Sequence, residues 1–395
     1  MKTIDTLELG GKKVFIRVDF NVPLDGSGNV TDDTRIMAAL PTIRAAIDAG
    51  AAVIIASHLG RPKGERRPEM SLAPVAEYLR KVLGGSVTMA TDCVGYEVEE
   101  VAGRLKTGEV LLLENLRFHK EERSNDGDFS RHLAALADVY VNDAFGTAHR
   151  AHASTEGITK YIGEAAAGLL MKKELAYLDE TLADPARPFL IILGGAKVSD
   201  KVGVIRNLMG RTDVLLIGGG MANTFLVACG FEVGDSKVEK EAVEEAERIL
   251  EEASSQDVRI LLPEDLVVAS SFSEEAERSV VGKESVPTGW MALDIGPLTV
   301  RQFKNEISKA GTILWNGPMG VFEMEPFAAG TMEIAKAVAD SKATSIVGGG
   351  DSVAAIKRSG RAEGISHIST GGGATLEFLE GKVLPGVEAL RRTGG

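Results

Sequence analysis

Short apolar runs recur along the chain at residues 14–18, 52–56, 110–113, 139–141, 189–193, 214–217, 260–262, 312–315 and 345–347. Most lack polar alternation, the pattern of strands buried on both faces of a parallel sheet. Amphipathic stretches at 72–83, 237–253 and 332–339 lie between them and predict helices. Alternation of this kind predicts doubly wound α/β domains. Residues 165–182 read as one long helix, followed by Asp184-Pro185-Ala186-Arg187-Pro188. A boundary between two blocks fits best near 165–185, with the helix as connector; one more packing helix is the competing reading. No short-period repeat or low-complexity segment breaks the pattern. Leu384-Pro385-Gly386 interrupts the chain ahead of a short basic tail.

Length and composition narrow the class. At roughly 100–200 residues per domain, 395 residues predict two or three domains. No apolar run reaches the roughly 18 residues that span a bilayer, and the first residues carry no apolar core of a secretory signal. The expectation is a cytoplasmic protein. Cys93 and Cys229 are the two cysteines, which fits a reducing compartment and argues against a disulfide scaffold or a cysteine-based zinc site. A net charge of −13 argues against nucleic-acid or membrane partners. It leaves room for a small anion in a locally basic cleft. His58, His119, His132, His149 and His152 precede residue 160 and only His367 follows it, so the two halves carry different chemistry.

Four strands of the second half run into glycine: Gly194-Gly195-Ala196-Lys197, Gly218-Gly219-Gly220, Gly348-Gly349-Gly350-Asp351-Ser352, and Gly371-Gly372-Gly373. Glycine lets backbone N–H groups approach a ligand, and a following helix N-terminus favours an anion. Tight strand-to-helix packing alone explains one such turn; four in one block point to a nucleotide or phosphate site. No G-x-x-x-x-G-K-[ST] and no G-x-G-x-x-G with its acidic partner occurs, which disfavours P-loop and dinucleotide-binding enzymes. Lys197 and Lys201 follow the first turn. If that segment is helical, both ammonium groups share a face toward phosphate; a solvated face is the alternative.

In the first half, polar residues follow the strands directly: Asp19-Phe20-Asn21, then Ser57-His58-Leu59-Gly60-Arg61, then Glu114-Asn115-Leu116-Arg117, then Asn142-Asp143 through His149-Arg150. A parallel sheet gathers these ends on one edge, so Arg61, Arg117 and Arg150 are expected to converge, with Arg35. Several guanidinium forks in one cleft suit a substrate carrying phosphate and carboxylate. There is no G-x-S-x-G elbow and no H-E-x-x-H helix. Phosphoryl transfer involving a carboxylate needs little proton transfer, because the carboxylate is already ionised at neutral pH. Positioning and charge neutralisation then carry the catalysis.

The string Arg17-Val18-Asp19-Phe20-Asn21-Val22-Pro23 resembles the opening signature of phosphoglycerate kinases. Residues 58–62, 114–118, 142–152, 193–201, 315–323, 348–352 and 369–374 resemble further motifs of that family, in its order, so the resemblance spans about residues 3–390. It implies two Rossmann-like doubly wound parallel-sheet domains joined by a long helix. One, residues 1–168 with a returning tail 379–395, would bind phosphoglycerate. The other, residues 169–378, would bind nucleotide. By motif, Asp19, Phe20, Asn21, Arg35, His58, Leu59, Gly60, Arg61, Arg117 and Arg150 would hold 3-phosphoglycerate or 1,3-bisphosphoglycerate. Gly195, Lys197, Lys201, Gly219, Glu323, Gly349, Gly350, Asp351 and Ser352 would hold ADP or ATP, with Glu323 at the ribose and Asp351 on Mg²⁺. Arg35, Lys197, Gly349 and Gly372 would serve the phosphoryl group in flight. The expectation is a cytoplasmic monomer that transfers the phosphoryl group in line; because the phosphoglycerate residues precede 160 and the nucleotide residues follow 190, it is expected to rest open and to close about hinges near both ends of the 165–182 segment and near 381–386. Two competing readings are a carboxylate kinase for another substrate, which the arginine set argues against, and a silent nucleotide-binding regulator. The latter is disfavoured because Arg35, Lys197 and Asp351 are all present.

Overall fold

The computed structural model describes residues 1–84 and 87–393. The chain forms two compact units, residues 1–176 with the tail from 383, and residues 177–382. The first is built on a six-stranded sheet of β1 (Lys13–Arg17), β2 (Ala52–Ala56), β3 (Val87–Met89), β4 (Val110–Leu112), β5 (Val139–Asn142) and β6 (Ala165–Ala167). The spatial order is β3-β4-β2-β1-β5-β6, and every pairing is parallel. Strands β2, β4 and β5 are buried at every position, which is why their sequences show no alternation. Helices such as Thr34–Asp48 and Ala73–Leu83 cover the sheet and complete a core of Val14, Ile16, Ile36, Ile43, Val53, Ile55 and Leu79.

The second unit carries β7 (Phe189–Leu193), β8 (Val214–Ile217), β9 (Arg259–Leu261), β10 (Asp265–Ala269), β11 (Arg278–Gly282), β12 (Met291–Ile295), β13 (Thr312–Asn316), β14 (Thr344–Gly348) and β15 (His367–Ile368). Six of these make a parallel sheet in the order β15-β14-β13-β7-β8-β9. Strand order runs one way from β7 and the other way from β13, so the switch point lies between these two central strands. The crevice beyond their carboxyl ends is the expected ligand position. Strands β10, β11 and β12 form a separate antiparallel sheet. The periodicity did not predict it. Arg278, Ser279 and Val280 on β11 are exposed, so this sheet lacks the continuous apolar runs that mark the central strands.

The single helix expected over 165–182 is corrected in two ways. Ala165–Ala167 is an edge strand, paired with Tyr140–Asn142 and buried at all three alanines. Alanine favours helix intrinsically, but pairing to an exposed sheet edge overrides a weak propensity. The helix starts only at Leu169. There the Asp143 carboxylate accepts from the backbone N–H of Leu170 (2.9 Å) and Met171 (3.1 Å). Gly168 is needed beside it, because a Cβ there would lie 2.1 Å from Asp143 Oδ1. The helix then loosens into a π-helical stretch at Ala176–Glu180 before Thr181–Ala183, and the first passage between units falls at the start of that stretch. Among the described residues no helix is long and apolar enough to cross a membrane.

Candidate functional site

On the first unit the strand ends assemble a cationic cluster. Strand β1 delivers Asp19 and Asn21 in the turn after it. Asp19 Oδ2 accepts from Arg35 Nη1 at 3.0 Å, and the same nitrogen donates to the Asn21 carbonyl at 3.2 Å. Asn21 Oδ1 accepts from the Gly60 N–H at 2.8 Å, tying the β1 turn to the turn after β2. Gly60 sits at φ 65°, and a side chain there would meet Met70 Sδ at 2.9 Å. Its carbonyl accepts from Arg117 Nη1 at 2.9 Å. Asn115 stitches the third turn to this loop, donating to Leu59 O (2.7 Å) and Met70 O (2.9 Å). Phe20 and Leu59 bury their side chains in the core, so these two residues frame the site through their backbone.

His58 reports how closely the cations gather. Burial, then the charges of Arg17, Arg117, Arg35 and Arg150, hold its pKa well below the ordinary value. Burial and the neighbouring Arg17 and Arg150 likewise draw Arg117 down to about 10. His149, whose Nε2 accepts from Arg150 Nε at 3.0 Å, is pushed down to about 4 by burial and the Arg150 charge. Three of the four expected arginines, Arg35, Arg117 and Arg150, are therefore near enough for their charges to act on the His58 ring. Arg61 is exposed on the adjoining turn and is not among the charges acting most strongly on His58. Arg117 is 5% exposed, and its Nε and Nη2 are buried with no hydrogen-bond partner. Buried charged donors left open in this way are costly, and an anion would fill them. Sequence reading placed Arg17 only inside a signature. Its signal was a lone charge closing the apolar run Val14-Phe15-Ile16, and it lies fully buried beneath the cluster.

On the second unit two neighbouring cavities open at the switch point, both lined by Gly195, Ala196, Pro318 and Asp351. One, about 390 Å³, has apolar walls of Leu266, Met291, Leu293, Met319 and Val321, with Glu323 and Asn223 among its polar groups. It suits a flat apolar ring system with a polar edge. The other, about 370 Å³, is lined by Lys197, Lys201, Gly349, Gly350, Ser352 and Gly372. The glycines of the two cavities are placed for two distinct reasons. Gly195, Gly349 and Gly372 have φ of 97°, 91° and 49°, which aim backbone where other residues rarely can. Gly219 lets two turns touch, since a Cβ would lie 2.7 Å from both Gly195 N and Pro318 O. The loop after β13 is locked by Gly195 N–H to Pro318 O at 3.0 Å and Gly219 N–H to Met319 O at 2.9 Å. Ser352 Oγ accepts from Gly317 N–H at 2.6 Å.

Residues 197–201 form turns rather than a helix, which begins at Val202. The Val198 carbonyl takes the N–H of Lys201 at 2.8 Å and of Val202 at 3.1 Å, so the chain coils tightly instead of propagating. Both lysines still reach one cavity. Lys201 donates to Asn316 Oδ1, and burial lowers its pKa against the opposing pull of Asp200, Asp351 and Glu380. Asn316, the last residue of β13, was not singled out from sequence. Asp351 stands at the start of the helix Gly350–Ser359 and faces both cavities.

Guanidinium donors with nothing to bond, and a base-sized cavity beside a glycine- and lysine-lined one, are the equipment of a phosphotransferase, and that is the class this fold and these sites define. The family model for phosphoglycerate kinase matches residues 4–382. The phosphoglycerate kinase of Moorella thermoacetica is 60% identical over 98% of this chain and 98% of its own. That of Koribacter versatilis is 58% identical over 98% of each. The solved phosphoglycerate kinase of Coxiella burnetii superposes with a TM-score of 0.90 at 42% identity, covering 99% of this chain and 98% of that one. The enzyme from Pyrococcus horikoshii OT3 gives 0.87 at 37% identity, covering 100% and 99%. The chain belongs to the phosphoglycerate kinase family: it is a glycolytic, ATP-generating phosphotransferase with a carboxyl group as acceptor.

Proposed function

We propose that Arg35, Arg117 and Arg150, with His58, Asn21 and the backbone at Gly60, hold the phosphoglycerate, and that the paired cavities of the second unit hold the nucleotide. Arg117 carries this reading. A buried guanidinium with two unfilled donors among other cations is unfavourable by itself and favourable once a dianionic phosphate arrives. The apolar cavity takes the base, with Glu323 at the ribose. Lys197, Lys201 and the N–H groups around Gly349, Gly350, Ser352 and Gly372 take the phosphates. Asp351 fits a nucleotide-bound Mg²⁺: it and Asp200 are the carboxylates lining the phosphate cavity, Asp351 also lines the neighbouring one, and Mg²⁺ usually takes one or two carboxylates plus phosphate oxygens. Bound there, the ion would neutralise charge on the nucleotide.

The acceptor carboxylate is already ionised, so no general base is required. Arg35 and Lys197 would stabilise the equatorial charge of an in-line transfer. Substrates held on separate units must come to roughly 3–3.5 Å between reacting atoms, and water must be excluded. Closure of the two units is therefore part of the cycle. The chain crosses between them at 176–177 and 382–383, which are the natural hinge positions. A cytoplasmic monomer is the form this reading expects.

The test is turnover of 3-phosphoglycerate with Mg-ATP in a coupled assay; a purified, folded chain with no turnover refutes the assignment. Small-angle scattering on free, singly and doubly liganded protein tests closure separately. A radius of gyration unchanged in an active enzyme removes it.

A further inference from the structure

Arg17 is a fully enclosed charge of the first unit, at 0% exposure, and it abuts His58. Its Nε donates to Ser154 Oγ at 2.7 Å, Nη1 donates to the Val18 carbonyl, and Nη2 lies 3.3 Å from His58 Nδ1. Ser154 passes the contact on: its hydroxyl donates to Glu122 Oε1 at 2.7 Å and its N–H donates to Oε2 at 3.0 Å. Glu122 is fully buried too. Burial works to raise its pKa, but the hydrogen bond of His152, the Arg17 charge and Ser154 outweigh this and keep it low. Arg17 is thus a cation balanced by a buried carboxylate one hydroxyl away, and it is fixed in orientation.

A guanidinium has five donors and no acceptor. The nitrogen it addresses must therefore present a lone pair, which leaves the one proton of a neutral imidazole on the other nitrogen. We infer that Arg17 is a positioning residue that locks His58 as the Nε2–H tautomer, so that the imidazole serves the phosphoglycerate site as an N–H donor. Asp19 Oδ1 is the carboxylate near the same nitrogen, at 3.8 Å, too long for a hydrogen bond and positioned to take over if Nδ1 were protonated. The other charges acting on the ring, from Arg35, Arg117 and Arg150, are donors only. An Nε2–H among them finds its acceptor in a bound carboxylate, hydroxyl or phosphate. The last step rests on the reading that this cluster binds phosphoglycerate; the tautomer itself does not.

The experiment is nitrogen-15 NMR of the histidine rings in the full chain, by two-bond proton–nitrogen correlation. His58 is expected to show an unprotonated Nδ1 and a protonated Nε2 at pH 7 to 8, with and without substrate. A protonated Nδ1, or a tautomer mixture, overturns the inference even if turnover is normal. Arg17→Met is expected to mix the tautomers and raise KM for 3-phosphoglycerate roughly tenfold, the size of one hydrogen bond to a charged group, with kcat little changed. Arg17→Lys should recover part of the lost affinity. An unchanged His58 signature in Arg17→Met refutes the positioning role. Should that variant not fold, His58→Gln and His58→Asn decide the matter. A glutamine amide nitrogen occupies the place of Nε2 and an asparagine amide that of Nδ1. His58→Gln must bind 3-phosphoglycerate more tightly than His58→Asn, and the reverse order refutes the tautomer.

Discussion

Replacing Arg117 by methionine removes a charge that the apo fold holds at a loss. Its pKa falls from the ordinary guanidinium value to about 10, first through burial and then through the charges of Arg17 and Arg150. A fall of that size corresponds to roughly 3 kcal/mol against the charged form in the folded state; solvent screening at the cluster trims this to about 2 kcal/mol. The sign follows from linkage. A base with a depressed folded pKa destabilises the fold at every pH below that pKa, so the cost is present in full at pH 7 to 8 and titration does not relieve it there. A bound anion or a neutral side chain does relieve it. Against the gain stands the Nη1 bond to the Gly60 carbonyl at 2.9 Å, worth about 1.5–3 kcal/mol as a charged hydrogen bond. The two terms nearly cancel, and Nε and Nη2 have no protein bond to lose.

Arg117→Met is therefore expected to leave apo stability within about 1 kcal/mol of wild type, although losing a buried network member often costs far more. Differential scanning fluorimetry should find the apo melting temperature shifted by no more than about 4 °C. The rise in melting temperature that 3-phosphoglycerate gives the wild type should disappear, and KM for it should climb by at least roughly tenfold. Active sites trade stability for function in this way. An apo protein destabilised by more than about 3 kcal/mol, with ligand stabilisation retained, would show that Arg117 holds the fold together rather than the substrate.

Three further outcomes are expected. Arg35→Ala should lower kcat about 10²–10³-fold with smaller changes in either KM; activity within a few-fold of wild type in the coupled assay removes Arg35 from the transition state. Asp351→Asn should raise the Mg²⁺ concentration needed for half-maximal rate while phosphoglycerate binding, read by calorimetry, stays unchanged; an unaltered metal dependence refutes its role as ligand. Asp294 accepts the N–H groups of Gly330 (2.7 Å) and Ile295 (2.9 Å), and burial pushes its pKa up to about 7. Its charged form costs stability above pH 7 and that cost fades as pH falls towards 4, so Asp294→Asn should melt higher than wild type at pH 8.5 and level with it near pH 4.5. A difference independent of pH between these points refutes this account.

The sequence was most legible where a segment is buried on both faces. Residues 52–56, 189–193 and 214–217 stand as strands at the expected boundaries, because a strand enclosed by helices has no polar face to blur its ends. Legibility failed where tertiary pairing decided a weak local preference. Ala165–Ala167 looks helical in isolation and becomes a strand because β5 offers an open edge. Lys197–Lys201 has helical spacing, and the Val198 carbonyl closes it into turns. The antiparallel β10–β12 sheet hid behind an exposed outer strand.

The site was legible by a different logic. Parallel topology carries every strand's carboxyl end to one edge, so the residues written immediately after the strands must meet there, whatever the intervening helices look like. That argument finds the residues that line the strand-end clusters of either unit. It does not find the ones that hold those residues still. Arg17 and Asn316 are each the last residue of a strand, and Ser154 and Glu122 sit in loops and short helices without periodicity. Their importance comes from burial without hydrophobicity, which only packing reveals. A charged residue ending an apolar run, as Arg17 does after Val14-Phe15-Ile16, is the one trace such a group leaves in a single sequence. The cost of enclosing it makes sense only if partners wait beneath the surface, and here they are the His58 ring and the Ser154 hydroxyl.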